Sequence, residues 1–307
     1  MTKIFIDGSV GTTGLRIHER LAGRKDITLL SLPEERRKDT EARRDMLNTA
    51  DVAFLCLPDA AAIEAVSLIE NDKTAVIDTS TAHRVDPAWD YGFPELHGRR
   101  EKIRLSKRVA NPGCHAGGFI ALVEPLVRNG LLSPDVRLTA TSLTGYSGGG
   151  KKMIADYEAE GRDELLSAPR LYGLSQTHKH LPEMTAITGL SQAPAFLPIV
   201  APYYAGMEVT VPLFSDMING TADDIRRLYR DYYTDGVVRY VDAADESGFL
   251  SASRYAFRDD MEITVVGNGE RILLVARFDN LGKGASGAAI QNMNLLLSVD
   301  ETTGLSL

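Results

Sequence analysis

Short apolar runs alternate with segments of helical spacing from the first residue to about Asn111. The runs at 3–6, 27–32, 51–57 and 74–78 predict strands, and the segments at 14–21 and 60–69 predict helices. Alternating strands and helices favour parallel pairing with right-handed crossovers. We therefore predict an α/β fold that begins with a Rossmann-type doubly wound parallel sheet.

The pattern changes after Asn111. An apolar helix is predicted over 117–128, and longer strands follow at 136–143, 196–201, 208–212, 261–266 and 272–278. Apolar residues at helical spacing over 284–297 predict a last helix. This second part is expected to be an α+β domain with a more antiparallel sheet.

Composition and net charge indicate which kinds of binding partner are not expected. The 307 residues include 34 Lys and Arg against 42 Asp and Glu, a net charge of −8, so nucleic acid and acidic membrane surfaces are not expected partners. The chain has two cysteines, too few for a disulfide framework, and its apolar stretches are too short to span a membrane. The N-terminus has the pattern of a strand and not of a signal peptide, so we expect a cytoplasmic protein.

A glycine-rich turn follows the first predicted strand. Glycine permits the sharp turn and the close approach of backbone N–H groups to a pyrophosphate at the start of a helix. The G-x-x-G-x-x-G spacing predicts dinucleotide binding, although a plain glycine-rich turn is the alternative. The candidate cofactor-binding residues are Gly8, Ser9, Val10, Gly11, Thr12, Thr13 and Gly14.

The end of the second predicted strand bears on the choice between NAD and NADP. A carboxylate there binds the ribose of NAD, whereas cations favour the 2′-phosphate of NADP. Two acids, Glu34 and Glu35, precede three cations, Arg36, Arg37 and Lys38. The run of cations favours NADP, with Arg36 as the candidate; a solvated helix start explains the same charges.

Cys114 is the candidate nucleophile. It lies after Pro112 and Gly113, where the apolar helix begins, and the N-terminus of a helix favours the thiolate. Cys56 lies within an apolar run and is expected to be a buried hydrophobic residue.

A thiolate nucleophile needs an acid/base partner, and His178 and His180 are the candidates. Alternation places both rings on one side if the segment is extended, and Pro182 argues against a helix there. Zinc bound by both histidines and Cys114 is disfavoured, because no further ligand completes a tetrahedral site. His115 is given no role, because adjacent residues at a helix start point in different directions.

Two segments have side chains suited to anions. Residues 78–84 lie at the end of a predicted strand and include Ser80, a candidate cofactor-binding residue. They also include Arg84, which is able to bind phosphate with two N–H groups. Residues 142–152 include Ser147, Gly148 and Lys151, a candidate phosphate nest, although the lysines also fit ordinary surface charge. A nicotinamide site, an activated thiol and phosphate ligands together predict the interconversion of an acyl phosphate and an aldehyde.

These motifs resemble the shorter form of the N-acetyl-gamma-glutamyl-phosphate reductases. The likeness covers nearly the whole chain; the thiol turn and the H-x-H-x-P-E motif at 178–183 are its specific part. The related aspartate-semialdehyde dehydrogenases share the glycine turn and the thiol but usually have a different histidine context. One departure is visible at 149–151, where Gly-Gly-Lys replaces the Ala-Gly-Arg of many members, so a point charge replaces a planar fork.

The resemblance implies NADPH-dependent reduction of N-acetyl-L-glutamyl 5-phosphate to the 5-semialdehyde and inorganic phosphate, in arginine biosynthesis. It implies Cys114 as the nucleophile, His180 as the acid/base group and His178 as a substrate ligand. The segment 280–285 is implied to approach the nicotinamide, with Asn280 and Gly284 as candidate cofactor-binding residues.

The resemblance also implies an NADP-binding domain of residues 1–112 with 284–307, a catalytic domain of 113–283, and a homodimer or homotetramer. Three alternatives remain at this point: an acyl-phosphate reductase for an aspartyl or aminoadipyl substrate, a non-catalytic dinucleotide-binding regulator, and a zinc protein.

Overall fold

A computed structural model describes residues 1–234 and 236–307. The elements up to the thiol turn are β1 (Thr2–Asp7), α1 (Thr12–Leu21), β2 (Ile27–Leu30), α2 (Thr40–Thr49), β3 (Val52–Leu55), α3 (Asp59–Ser67), β4 (Ala75–Asp78), β5 (Asp90–Tyr91), α4 (Arg99–Leu105) and β6 (Arg108–Ala110). The elements after it are α5 (Cys114–Arg128), β7 (Thr139–Gly145), α6 (Gly150–Glu158), β8 (Arg170–Leu171), α7 (Leu181–Thr188), β9 (Ala195–Ala201), β10 (Met207–Phe214), α8 (Ala222–Tyr232), β11 (Val238–Tyr240), β12 (Met261–Gly267), β13 (Arg271–Phe278) and α9 (Gly287–Leu296).

The chain divides into two compact units. The first unit contains Met1–Pro112 and Ala285–Leu305, and the second contains Gly113–Gly284 with Ser306–Leu307. In the first unit six parallel strands form one sheet in the order β2-β1-β3-β4-β6-β5. The strand order reverses between β1 and β3, which is the switch point where open α/β sheets bind ligands. The predicted parallel sheet is confirmed.

Helices cover both faces of this sheet. On one face Ile17 of α1, Ile103 of α4 and Ile290 of α9 share a core with the sheet, whereas Leu47 of α2 and Ala62 of α3 belong to the core of the other face. Burying a side chain of the size of isoleucine or methionine contributes about 1.5–3 kcal/mol, so the last helix adds substantially to the stability of this unit.

The second unit contains a seven-stranded sheet in the order β11-β12-β13-β10-β7-β9-β8. The β11–β12 and β7–β9 pairs are parallel and the other pairs are antiparallel, so the sheet is mixed. Helix α5 packs on β10 and β13, and α7 packs beside α5. The hydroxyl of Tyr233, the C-cap residue of α8, donates to the Ala121 carbonyl of α5 at 2.7 Å, which fixes the end of α8 beside the same helix. The predicted α+β character of this part is confirmed.

Several elements differ from the predicted ones. Helices α2, α4, α6, α7 and α8 were not predicted, and the strand expected from 136 begins at Thr139. The prediction that Pro182 argues against a helix is wrong, because Pro182 lies in the first turn of α7. Proline fits there, since its missing N–H would have no partner within the helix. Among the residues that the structure describes, no helix combines the length and the apolarity that crossing a bilayer requires.

Candidate active site

The glycine turn lies at the carboxyl end of β1, beside the switch point of the sheet. Gly8 has a φ of +87°, and a Cβ there would lie 2.3 Å from the Cys56 carbonyl oxygen, so only glycine fits. A Cβ on Gly14 would lie 2.4 Å from the Gly8 carbonyl oxygen. Gly11 is the N-cap of α1, and the first turn of that helix contains no acid. The helix therefore begins close to the turn with its positive end unneutralised by a side chain.

A cavity of about 610 Å³ lies beside this turn, at the ends of β1 and β2. Its lining includes Gly8, Ser9, Val10, Arg37 and Lys38. The Thr12 Oγ1 atom, at the start of α1, is buried without a hydrogen-bond partner in the described part of the chain. A buried hydroxyl of this kind is stabilised by a ligand that accepts or donates a hydrogen bond. The tight turn, the cavity and this hydroxyl fit the pyrophosphate and adenosine of a dinucleotide.

The cavity is lined by Arg37 and Lys38, and not by Arg36, the residue predicted to bind a 2′-phosphate. Arg36 ends a short 3-10 helix, Glu34–Arg36, is not part of the cavity lining, and its Nε lies 3.8 Å from Asp39 Oδ2. Because the helical turn rotates successive side chains, the cavity is lined by Arg37 and Lys38. The structure thus favours these two residues over Arg36.

The segment after β4 is held by internal hydrogen bonds. Asp78 is buried and accepts from Ser80 Oγ at 2.7 Å and contacts His83 Nδ1 at 2.6 Å. Arg84 is also buried, with Nε and Nη2 donating to the Asn111 and Thr79 carbonyls at 2.9 and 3.0 Å. These contacts give Ser80 and Arg84 structural roles, and they do not favour the phosphate contact predicted for Arg84.

Cys114 is the first residue of α5, as predicted, with Gly113 as the N-cap. The Gly113 N–H donates to Glu183 Oε1 at 2.8 Å, and Glu183 is 1% exposed. Glu183 lies on α7, which begins directly after His180. The bond therefore couples the turn before the thiol to the helix that follows the candidate acid/base group. A Cβ on Gly284 would lie 2.9 Å from Cys114 Cβ, so glycine is needed there to leave room for the Cys114 side chain.

The two predicted histidines lie together, but not on an extended segment. His180 has helical φ and ψ of −88° and −10°, so the expected alternation is wrong. Their ring centroids are nevertheless 4.8 Å apart, and the His180 N–H donates to His178 Nδ1 at 3.2 Å. His180 is buried, and burial followed by the charge of Lys179 lowers the pKa of His178.

The segment around Ser147 is helical and is not the open loop that we expected. Tyr146–Gly149 forms a 3-10 helix that runs directly into α6. Ser147 is 0% exposed, and its Oγ accepts from Asn280 Nδ2 at 2.9 Å. Asn280 Oδ1 accepts from the Gly206 N–H at 3.0 Å, so this amide holds the two segments together.

The other predicted residues of this segment are placed differently. Gly148 lies close to the same amide, because a Cβ there would be 3.1 Å from Asn280 Nδ2. Lys151 is exposed in the first turn of α6. Lys151 and its neighbour Lys152 are both exposed, so solvent reaches two ammonium groups in this segment.

Three residues of the second unit were not assigned a role from the sequence. They are Glu183, His115 and Tyr172. The two ring nitrogens of His115 lie at hydrogen-bond distance from the hydroxyls of Ser142 and Tyr172. Glu183 is the last residue of the H-x-H-x-P-E motif, and its place in that motif is the sequence feature that could have indicated a role for it. Within 1–234 and 236–307, no three His, Cys, Asp or Glu side chains are grouped as a metal site would require.

The parallel sheet with a glycine turn, and the mixed sheet with a helix-terminal thiol and a histidine pair, define the semialdehyde dehydrogenase class of oxidoreductases. Residues 10–106 match the semialdehyde dehydrogenase NAD binding domain, and residues 114–280 match its dimerisation domain. The chain belongs to the N-acetyl-gamma-glutamyl-phosphate reductase family. N-acetyl-gamma-glutamyl-phosphate reductases of Sinorhizobium medicae and Chelativorans sp. are 47% and 48% identical to it; the alignments cover 96% of this chain and 99% and 98% of theirs.

Solved structures agree on the fold. Aspartate semialdehyde dehydrogenase II of Vibrio cholerae, in complex with ASA, has a TM-score of 0.71 at 16% identity, covering 97% of this chain and 98% of its own. The Candida albicans aspartate semialdehyde dehydrogenase with NADP has the same score and identity, covering 97% and 99%. At this identity the likeness shows a shared fold alone.

The two thiols are predicted to differ in reactivity. Cys56 follows β3 and is half-buried, and not fully buried as expected; desolvation raises its pKa to about 12. Fewer than about one in 10⁴ of its thiols is therefore ionised at pH 7.5. Cys114 lies at the N-terminus of α5, where the thiolate is favoured. Iodoacetamide at pH 7.5 should alkylate Cys114 at least about 100-fold faster than Cys56, as measured by peptide mass spectrometry. Comparable labelling of both thiols in the folded protein would contradict this assignment, and unfolded protein supplies the control.

Proposed function

We propose that this protein catalyses the NADPH-dependent reduction of N-acetyl-L-glutamyl 5-phosphate to N-acetyl-L-glutamate 5-semialdehyde and inorganic phosphate, a step of arginine biosynthesis. The observation that carries the proposal is the position of Cys114 at the start of α5, coupled through Gly113 and Glu183 to the helix after His180. The relatives at 47–48% identity are named for this reductase activity.

The reaction uses Cys114 as the nucleophile. Its thiolate attacks the acyl carbon, the carbon–oxygen bond to phosphate breaks, and a thioester remains on the sulfur. Bound NADPH supplies the hydride that converts this thioester to the aldehyde level. His180 protonates the oxygen as the thiohemiacetal forms and accepts that proton as the carbon–sulfur bond breaks, which releases the semialdehyde. General acid/base catalysis of this kind contributes about 10²–10⁴-fold.

Other side chains bind the substrate. His178, half-buried beside His180, is suited to hold a polar group of the acyl chain, and its lowered pKa keeps the ring neutral at pH 7. The exposed Lys151 in the first turn of α6 supplies positive charge for the phosphate, together with the N-terminus of that helix. Ser147 contributes indirectly, because its bond to Asn280 fixes the segment that precedes Lys151.

The reverse reaction tests the catalytic assignment. With N-acetylglutamate semialdehyde, phosphate and NADP⁺, formation of reduced cofactor is followed at 340 nm. Cys114→Ser should abolish turnover with NADP⁺ binding retained, and His180→Asn should lower kcat by about 10²–10⁴-fold with a smaller change in KM. Cys56→Ala and the exposed His97→Asn serve as matched controls and should retain turnover.

Two outcomes would overturn the assignment. Wild-type turnover in Cys114→Ser would exclude the thioester, and a loss confined to KM in His180→Asn would exchange the roles of the two histidines. Aspartate semialdehyde is the comparison substrate, and a higher kcat/KM with it would reassign the acyl group.

The cavity of the first unit binds NADP in this proposal. The N–H groups at the start of α1 and the Thr12 hydroxyl hold the pyrophosphate, whereas Arg37 and Lys38 lie in the cavity where cations would bind a 2′-phosphate. Because Glu34 and Glu35 also line this cavity, its preference for NADP depends on the two cations.

Replacing both cations should therefore change the cofactor preference. Arg37→Ser with Lys38→Ser is expected to raise the KM for NADP⁺ by about tenfold or more and to leave the KM for NAD⁺ nearly unchanged, since a hydrogen bond to a charged group contributes about 1.5–3 kcal/mol. Arg36→Ser is the matched control and should retain the wild-type values. An equal effect of Arg36→Ser would restore the original prediction for that residue.

We propose that the second unit forms a homodimer through the sheet face opposite α5. The α5 face contains Val209 and Phe278, whereas the opposite face presents Leu143, Leu197 and Ile199 at intermediate exposure and Leu273 at 38% exposure. The same face also carries Thr141, Glu208 and Thr210 at intermediate exposure, so it mixes apolar and polar side chains, as many subunit interfaces do. The match of residues 114–280 to a dimerisation domain supports the same conclusion.

A charge on this face should prevent assembly. Ile199→Glu is predicted to shift the protein from dimer or tetramer to monomer in sedimentation velocity, because a dimer contact would bury the new carboxylate without a partner. Leu174→Glu is the control, since Leu174 is 76% exposed and lies outside the strands. An Ile199→Glu protein that stays folded and oligomeric would place the interface elsewhere.

A further inference from the structure

His115 directly follows the nucleophile and is held at both ring nitrogens. Nδ1 lies 2.7 Å from Ser142 Oγ of β7, and Nε2 lies 2.7 Å from the Tyr172 hydroxyl, in the segment after β8. The side chain is 3% exposed. An imidazole with two short hydrogen bonds in a buried position has one permitted orientation, so it also fixes its hydroxyl partners.

His115 is in addition the centre of a group of rings. Its centroid lies 5.6 Å from that of His178 and 5.6 Å from that of His180, and 5.4 Å from that of Phe196. Tyr172 packs edge-on against His178 at 5.8 Å. The two histidines assigned to the reaction therefore pack against a ring that is fixed from the sheet.

This central ring stays neutral. Burial, followed by the charge of His178, lowers the pKa of His115 to about 3. Burial and then the charge of the Cys114 thiolate raise the pKa of Tyr172, which keeps its proton. The other titratable groups around the cluster are Lys179 and Glu183 with the histidine pair, and Lys283 in the turn beside the thiol. With His115 neutral, one ring nitrogen donates and the other accepts.

We propose that His115 is a positioning residue of the reaction. It holds the Tyr172 hydroxyl beside Cys114 and fixes the positions of the His178 and His180 rings relative to the sulfur. The kinetic part of this inference rests on the proposed reductase function, whereas the position of Tyr172 relative to the thiol does not.

Substitution of His115 by an amide residue makes it possible to test its two hydrogen bonds one at a time. In His115→Gln the amide nitrogen reaches the position of Nε2 and keeps the contact to Tyr172, whereas in His115→Asn it replaces Nδ1 and keeps only the contact to Ser142. Tyr172→Phe removes the hydroxyl alone. These three variants, and the double variant His115→Asn with Tyr172→Phe, are compared in the reverse reaction.

His115→Asn and Tyr172→Phe are each expected to lower kcat about tenfold, with KM for the semialdehyde within about threefold of wild type, and the double variant should be no slower than either one. His115→Gln should retain most of the wild-type kcat. Multiplied losses in the double variant, or equal losses in His115→Gln and His115→Asn, would overturn the proposal.

A second measurement needs no substrate. The rate of Cys114 alkylation by iodoacetamide is recorded against pH, and its midpoint should move to higher pH by the same amount in His115→Asn and Tyr172→Phe, because a hydroxyl dipole beside the thiolate is lost. An unchanged midpoint in Tyr172→Phe, which deletes one oxygen, contradicts the proposal even if a His115 variant fails to fold. Should the wild-type protein lack reductase turnover, the proposed function fails, while these profiles still decide the positioning role.

Discussion

The hydrogen bond from the Gly113 N–H to Glu183 fixes the geometry on which the chemistry of the second unit depends. It joins the turn before Cys114 to the helix that begins after His180, two segments far apart in the chain. A buried carboxylate without this partner would be costly, so the folded state favours the paired arrangement. Because reaction rates are sensitive to displacements of about 1 Å, a tether at the nucleophile turn matters more than its own contribution to stability.

The two units share one structural feature with a different use in each, a helix whose N-cap residue is a glycine. In the first unit the tight contacts of Gly8 and Gly14 bring the start of α1 next to a cavity that fits a dinucleotide. In the second unit α5 begins at Cys114, the proposed nucleophile. The positive end of a helix favours a pyrophosphate in one case and a thiolate in the other.

Much of this arrangement is predictable from local sequence. Apolar runs locate the parallel strands, and the glycine spacing and the thiol turn indicate the two helix starts. Side-chain direction is harder to predict: a single 3-10 turn moves the cavity lining from Arg36 to Arg37, and Pro182 begins a helix instead of preventing one. Tertiary contacts are not visible in the pattern at all, and they decide the role of His115, whose partners lie on β7 and after β8. Helices α2 and α8 did have readable signals, namely Asp39 at one N-cap and the Thr221–Asp224 capping box at the other.

The C-terminal helix has a consequence for how the chain is made. Helix α9 supplies Ala289, Ile290 and Met293 to the core of the first unit, although the segment Gly113–Gly284 separates it from the rest of that unit. During synthesis nearly all of the second unit, Gly113–Gly284, leaves the ribosome before α9, while the first unit still lacks part of its interior. The core of the first unit is therefore complete only once α9 has been synthesised, after residues 1–112 and nearly all of the second unit.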